Sequence, residues 1–151
     1  MKTLTYSIKI NQPQDLVFNK MLDKSVYNDW AKAFSAGSTF EIEGEWKQGA
    51  EVLYVDLDKG GTRVTLEVFE PGKRILAKHI GMVDAEGENS DLDETMKKWI
   101  GTLEEYEFIN DNGSTNLQIT MQTDEMFQEM FDESWPSALK LFKEVCEANQ
   151  D

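Results

Sequence analysis

The chain has 151 residues, of which 40% are apolar, and 15 Lys and Arg against 29 Asp and Glu leave a net charge of −14. Such a negative surface repels phosphate backbones and anionic lipid, which argues against nucleic acid and membrane as partners and leaves a basic protein or a cationic ligand. Cys146 is the only cysteine and no apolar run approaches the roughly 20 residues that span a membrane, so we predict a cytoplasmic protein without disulfides.

The first part of the chain predicts a strand followed by two short helices. Residues 6–10 alternate between apolar and polar, which is the period of a half-buried strand. Pro13 suits the first turn of a helix, because its missing N–H is not needed there, and we expect this helix to end near Leu22. A second short helix is predicted from Ser25 to Phe34, with Ser25 as its N-cap.

The middle of the chain has a period of two and predicts about six further strands. Turn-forming residues mark three hairpins: Lys59-Gly60-Gly61, Pro71-Gly72 and Asp111-Asn112-Gly113. We expect Val64, Leu66 and Val68 to share one face of their strand, and His79 to lie on the apolar face of the next strand.

An acidic segment from 84 to 98 interrupts this regularity. It contains the six acids Asp84, Glu86, Glu88, Asp91, Asp93 and Glu94. Their oxygens would suit calcium or magnesium, but the spacing matches no calcium loop, so we predict a solvated loop and no metal site. The segment could act as a lid or as a partner contact.

From about Met126 the pattern is helical. Apolar residues step by four, four, four, three and four to form one stripe: Phe127, Phe131, Trp135, Leu139, Phe142 and Cys146. Pro136 lies inside this run and cannot donate a backbone hydrogen bond. We therefore expect the main helix to begin near Ser134, with residues 124–133 forming a shorter preceding turn or helix.

The order of these elements predicts one α+β domain spanning 1–151. An antiparallel sheet with one polar face must bury the other face, and only the C-terminal helix is long enough to cover it. A strongly twisted sheet curls around such a helix and leaves space where it is most curved. We therefore predict a curved antiparallel sheet that wraps around the long C-terminal helix, with a cavity between them.

Four stretches of the sequence carry a resemblance to a known family: IKINQPQDLVFNKMLDKSVYNDW, FEIEGEWKQGAEV, GTRVTLEVFEPGKRILAKHIG and SWPSALKLFKEVCE. In this order they resemble the START-like (SRPBCC) helix-grip superfamily, and within it the AHSA-type branch, similar to the C-terminal domain of the heat-shock ATPase activator. The resemblance implies a helix-grip fold with a cavity between the sheet and the last helix. Because the matching residues are mostly Trp, Gly and Pro at structural positions, it is specific for fold and hardly for activity.

The candidate ligand-binding residues are those expected to face this cavity: Trp30, Phe34, Trp46, Tyr54, Leu66, His79, Tyr106, Met121, Trp135, Leu139 and Phe142. His79 is the only histidine, which excludes a multi-histidine metal site. It could hydrogen-bond a ligand or shuttle a proton, or it could be a satisfied, partly buried side chain. The aromatic residues could line a pocket or fill a solid core.

No signature of catalysis is present. The sequence has no nucleophile elbow, phosphate loop, dinucleotide-binding glycine pattern, His-Glu-x-x-His or Cys-x-x-Cys, so we predict no catalytic residue, metal or cofactor. Cys146 lies among apolar residues near the end of the last helix, where a packing role is expected.

Three hypotheses for function follow. The first is binding of a hydrophobic or amphipathic small molecule in the cavity, with His79 or a tyrosine orienting it. The second, implied by the resemblance, is a co-chaperone-like protein-interaction domain. Under each hypothesis we expect the protein to be a monomer or a homodimer. The third is a cyclase or lyase, as known elsewhere in the superfamily, with His79 or Tyr106 as its acid–base group.

Overall fold

The computed structural model describes residues 1–34, 40–56, 60–84 and 94–148. Within these ranges the α-helices and strands are, in chain order, β1 (Lys2–Ile10), α1 (Gln14–Leu22), α2 (Lys24–Ala31), β2 (Phe40–Gly44), β3 (Glu51–Asp56), β4 (Gly60–Glu70), β5 (Arg74–Val83), α3 (Glu94–Lys97), β6 (Leu103–Asp111), β7 (Ser114–Thr123) and α4 (Gln128–Glu147). Short 3₁₀ turns follow α2 (Lys32–Phe34) and precede α4 (Glu125–Phe127).

The strands form one antiparallel sheet in the order β1-β7-β6-β5-β4-β3-β2. The N-terminal strand β1 pairs along its length with β7, which places it at one edge. Between β4 and β5 the register shifts twice, once at Arg63/Val64 and once at Leu66/Val68. Because such irregularities bend a strand and increase its twist, the sheet curves around α4. The predicted helix-grip fold is confirmed.

The inner face of the sheet and the apolar stripe of α4 form one core. Leu66 and Ile119 from the sheet, and Leu139 and Phe142 from α4, are buried in the same cluster. Trp135 lies in that cluster as well and is only 3% exposed. The apolar stripe read from the sequence is therefore the face that the sheet covers.

The second register shift corrects the expectation for Val68. After the irregularity, Phe69 pairs with the buried Ile75 and packs against the core. Val68 pairs with Leu76, so it does not share a face with Val64 and Leu66. A shift of one residue moves every following side chain to the other face of a strand, which period-two reasoning cannot anticipate.

Asp23, and not Ser25, caps α2. The Asp23 side chain accepts a hydrogen bond from the Ser25 backbone N–H at 2.9 Å and another from the Ser25 hydroxyl at 2.6 Å. The helix consequently begins at Lys24. The prediction failed because both residues are good caps, and Asp23 comes first.

Pro136 does not interrupt the last helix. α4 runs without a break from Gln128 to Glu147 and contains Pro136 in its interior. The expectation that the main helix begins near Ser134 is wrong. Buried anchors on both sides of the proline, Trp135 before it and Leu139 after it, hold the two halves against the same sheet.

The turn between β6 and β7 is as predicted. Asp111 pairs with Ser114, which leaves Asn112 and Gly113 as a two-residue loop. Both have positive φ, at 52° and 90°, which is the conformation that suits the twist of a hairpin. In the first hairpin Gly60 opens β4 with a φ of 100°, whereas Lys59 lies outside the described residues.

Candidate functional site

A cavity of about 200 Å³ lies between the inner face of the sheet and the helices α2 and α4. Its lining, among the described residues, is mostly aromatic with a few polar groups: Tyr27, Trp30, Phe34, Tyr54, Thr62, His79, Trp99, Glu104, Tyr106, Phe131 and Trp135. Two helices, four strands and two connecting segments contribute to it. Thr62 and His79, which border the cavity, lie at the first of the two β4–β5 irregularities.

Trp135 is the centre of the aromatic wall. Its ring lies 4.9 Å from that of Phe34 in an edge-to-face contact, 6.3 Å from Tyr106 and 6.5 Å from Trp30. Its indole N–H donates to the sulfur of Met121 at 3.1 Å, which fixes its orientation. These contacts fix the positions of the rings relative to one another.

A second group of rings also borders the cavity. Trp99 stacks on Phe131 with 6.1 Å between ring centroids, and the His79 ring lies 4.3 Å from Trp99. Trp99 follows α3, whereas Phe131 belongs to α4 and His79 to β5. These rings, which border the cavity, thus come from segments far apart in the sequence.

His79 is buried, being 3% exposed, and is held by Thr102. Its Nδ1 lies 2.9 Å from the Thr102 hydroxyl and 3.1 Å from the Thr102 carbonyl oxygen. The Thr102 hydroxyl donates its own proton to the Trp99 carbonyl at 2.6 Å, so it can only accept from the histidine. The proton of the neutral imidazole therefore sits on Nδ1, and Nε2 carries the lone pair.

Burial lowers the pKa of His79 below its ordinary value of 6.5, and the nearby Glu104 carboxylate only partly opposes this. The imidazole is consequently neutral at pH 7. It can act in the cavity as a hydrogen-bond acceptor and not as a cation.

Glu104 is the acid of the cavity. Its Oε2 accepts a hydrogen bond from the Tyr106 hydroxyl at 2.7 Å. In the sheet Glu104 pairs with Ala77 of β5 and Met121 of β7, both of which are buried on the inner face. The carboxylate therefore belongs to the core side of β6 and not to its solvent side.

Three tyrosines surround this carboxylate. Burial, and after it the charge of Glu104, raises the pKa values of Tyr27, Tyr54 and Tyr106. Their phenols therefore stay protonated throughout the physiological range and serve as hydrogen-bonding groups, not as acids.

Of the eleven residues predicted to bind a ligand, six line this cavity: Trp30, Phe34, Tyr54, His79, Tyr106 and Trp135. The other five do not line it, and four of them are buried in the core while the partly buried Trp46 packs against that core: Trp46, Leu66, Met121, Leu139 and Phe142. Trp46, for example, donates its indole N–H to the Leu22 carbonyl at 3.0 Å and packs against Phe69. Alternation and helical spacing indicate that a residue lies in or against the core, but they do not indicate which of these residues border a space.

Sequence reasoning missed Tyr27, Thr62, Trp99 and Glu104 as lining residues, whereas the remaining lining residue, Phe131, belongs to the apolar stripe predicted for the last helix. For Glu104 a signal exists in the segment LEEYEF, since residues 104, 106 and 108 share one strand face and the last two are apolar aromatics. An acidic side chain on the same face as these aromatic residues is expected to point toward the core. Trp99 gives no such signal, because it follows a segment without periodicity.

Cys146 is a core residue. It is 2% exposed near the end of α4, and burial raises the pKa of its thiol to about 12. The reactive thiolate is therefore almost absent at neutral pH, which rules out a nucleophilic role.

Two further observations bound the chemistry of the described part of the chain. Within it no group of three or more His, Cys, Asp or Glu is arranged to hold a metal ion. None of the helices in those ranges is long and apolar enough to cross a bilayer. Most of the acidic segment, residues 85–93, lies outside the described residues.

Comparison with known proteins identifies the fold but no family. No protein-family model matches the chain, and no curated protein sequence matches it significantly. Solved structures match over nearly its whole length. They include a protein from Mesorhizobium loti, with a TM-score of 0.78, 9% identity and coverage of 99% of this chain and 100% of that one.

A second match is the Aha1 dimer from Colwellia psychrerythraea, with a TM-score of 0.72, 15% identity and 100% of both chains covered. A third is a protein from Chromobacterium violaceum, with a TM-score of 0.73 and 15% identity, and the match covers 97% of this chain and 98% of that one. At these identities the likeness establishes a helix-grip, SRPBCC-like fold. Activity does not follow from it.

Proposed function

We propose that this protein binds a hydrophobic or amphipathic small molecule in the cavity between its sheet and α4. The observation that supports this proposal is the composition of the lining, in which aromatic rings surround a few polar groups that converge from different strands. Tyr54, His79 and Glu104 come from β3, β5 and β6. Apolar walls of this kind supply affinity, while a few placed polar groups fix orientation.

A neutral probe with an aromatic ring and one hydroxyl, 2-phenylethanol, tests the proposal. Binding is followed through tryptophan fluorescence, because Trp30, Trp99 and Trp135 line the cavity. We expect a saturable change with a Kd of about 1 mM or tighter, as suits so small a ligand.

Thr62→Phe should fill the cavity and weaken this binding at least about tenfold, a change of about 1.4 kcal/mol. The matched control is Thr65→Phe on the same strand, where Thr65 pairs with the exposed Glu51 and Lys78 on the other face. Equal binding by the two variants would contradict the proposal. If Thr62→Phe alone loses binding, native mass spectrometry of protein purified from its source should detect the mass of a co-purified ligand.

A second candidate function is protein interaction. It would follow from a relation between this chain and the AHSA-type branch, which we infer from the sequence resemblance. One structural neighbour is an Aha1 dimer, and an apolar patch at the start of α4 favours this reading. Met126 is 65% exposed and Met130 45% exposed, and they are flanked by the exposed acids Glu125, Glu129 and Glu133. A partner with an apolar centre and a basic rim would complement this patch.

The enzyme hypothesis receives no such support. His79 is hydrogen-bonded to Thr102, which does not titrate, and burial makes the Tyr106 phenol a weaker acid. An acid–base pair of matched pKa values is the arrangement that such catalysis requires. We therefore do not propose a cyclase or lyase activity.

A further inference from the structure

We propose that the ligand of this cavity is an organic cation, a protonated amine on an apolar body, whose ammonium group is held by the Glu104 carboxylate. The inference depends on the proposed binding function and names the chemical class of its ligand. Four features of the cavity support it: an acid without a cationic partner, an adjacent hydrogen-bond acceptor, the aromatic walls and the charge of the whole chain.

The first feature is the environment of Glu104. The carboxylate accepts one hydrogen bond, from Tyr106, and no Lys, Arg or His nitrogen of the described residues lies within 4.0 Å of it. The cavity lining in those ranges contains no Lys or Arg at all. Glu104 is partly buried, and an ammonium group bound there would supply the missing counter-charge and form a charge-assisted hydrogen bond with its carboxylate.

The second feature is His79. Because its Nδ1–H donates to Thr102, the lone pair on Nε2 lies on the opposite side of the ring. Nε2 has no hydrogen-bond partner among the described residues, and His79 borders the cavity. Two groups that accept hydrogen bonds, a carboxylate and a neutral imidazole, therefore border one cavity. A ligand head group that donates several hydrogen bonds satisfies both, and a protonated amine is such a group.

The third feature is the aromatic wall. Trp135 and Trp30 stack at 6.5 Å, and Phe34 meets Trp135 edge to face. The negative faces of such rings attract cations, most strongly when water is excluded. The same rings pack against the apolar body of an amine, so one wall serves both parts of the ligand.

The fourth feature is the net charge of −14, which raises the local concentration of cations around the whole molecule. An anionic amphipath is disfavoured by the same field. Inside the cavity its head group would meet the like charge of Glu104 and the lone pair of His79.

Three probes with a phenyl ring on a two-carbon chain test the inference, because they differ in the charge of the head group. These are 2-phenylethylamine, a cation at pH 7, 2-phenylethanol, which is neutral, and 3-phenylpropanoate, an anion. Each is titrated into the protein and followed by tryptophan fluorescence. We expect the amine to bind at least about tenfold more tightly than the alcohol, and the anion to bind most weakly.

Glu104→Gln keeps the size of the side chain and removes its charge. We expect this variant to lose the preference for the amine over the alcohol. The matched control is Glu107→Gln, which removes the same charge from the same strand at a residue that does not line the cavity. Glu107→Gln should retain the preference for the amine over the alcohol, because the proposal attributes this preference to the Glu104 carboxylate alone.

The outcomes separate this inference from the proposed function. If alcohol and amine bind wild-type protein equally, the cation inference is overturned and cavity binding stands. If none of the three probes binds, both are overturned. A preference that survives in Glu104→Gln would overturn the role of that carboxylate. If this variant does not fold, the ratio of amine to alcohol affinity in the wild type still decides the inference.

Discussion

Glu104 shows how one side chain changes the character of a cavity whose other walls are aromatic. Without it the lining would suit any apolar molecule of the right size. With it the lining contains a carboxylate fixed by Tyr106 and next to a neutral imidazole. Burial first, and the charge of Glu104 second, raise the pKa values of Tyr27 and Tyr54, whose hydroxyl groups therefore stay protonated. The chemistry of the site is thus set by one acid and its neighbours.

Asp23 gives a prediction at the scale of one residue. Asp23→Ala removes the two hydrogen bonds that cap α2 and should lower the free energy of unfolding by about 1 kcal/mol at pH 7, the usual cost of losing such a cap. Urea denaturation measures the difference. Asp29→Ala, at an exposed position in the same helix, is the control and should have little effect.

The stabilisation by Asp23 should also depend on pH. Hydrogen bonds from the Ser25 hydroxyl and then from its backbone N–H lower the pKa of Asp23 below the ordinary 3.8. Because the folded-state pKa is the lower one, the contribution is complete above 3.8 and is lost as the pH falls through the folded value. The difference between wild type and Asp23→Ala should therefore be smaller at pH 3 than at pH 7. A difference that grows at pH 3 would refute this account.

At the scale of elements, α4 is the part of the fold that sequence patterns described best and also misjudged. Its stripe of Trp135, Leu139 and Phe142 is buried as predicted. Pro136 has no N–H to donate to the carbonyl of Asp132, one helical turn earlier, and the helix nevertheless continues. Burial of the stripe against the sheet outweighs the missing hydrogen bond, which intrinsic propensity alone does not take into account.

Replacing Pro136 should therefore stabilise the protein. Pro136→Ala restores the backbone donor inside a helix that already exists, and we expect the free energy of unfolding to rise by about 1–3 kcal/mol. The exposed neighbour Ser137→Ala is the control and should change stability by no more than about 0.5 kcal/mol. Thermal unfolding followed by circular dichroism compares the two. A loss of stability in Pro136→Ala would show that the helix has adapted to its proline.

At the scale of the whole molecule the dominant feature is the excess of acids. With a net charge of −14 the folded chain repels itself, and this repulsion is strongest when little salt screens it. The Debye length falls from about 30 Å at 0.01 M salt to about 8 Å at 0.15 M. Added salt should therefore stabilise the folded state relative to the unfolded state, in which the same charges lie farther apart.

We accordingly expect the melting temperature to rise by several degrees between 0.01 M and 0.15 M NaCl. Glu133 and Lys140 are exposed on α4, and neither forms an ion pair among the described residues. They provide two matched variants: Glu133→Gln removes an acid and Lys140→Gln removes a base. At low salt Glu133→Gln should melt higher than wild type and Lys140→Gln lower. A melting temperature that falls with added salt would mean that attractive ion pairs outweigh the net repulsion.

The sequence by itself determined the types and order of the elements, the hairpin at Asn112 and Gly113, and the buried stripe on the last helix. These features depend on periodicity and turn chemistry, which act between residues close in the chain. Fold class followed, since a half-polar sheet and one long amphipathic helix can bury their apolar faces only against each other.

Only the tertiary structure decided which of the buried residues border a cavity and which fill the core. Leu66, Met121, Tyr54 and Glu104 all belong to the inner face of the sheet. Leu66 and Met121 are packed in the core, whereas Tyr54 and Glu104 line the cavity. The difference arises from the irregular β4–β5 register and from rings contributed by distant segments. Alternation assigns a side chain to a face of the sheet, but what lies opposite it depends on how the sheet bends.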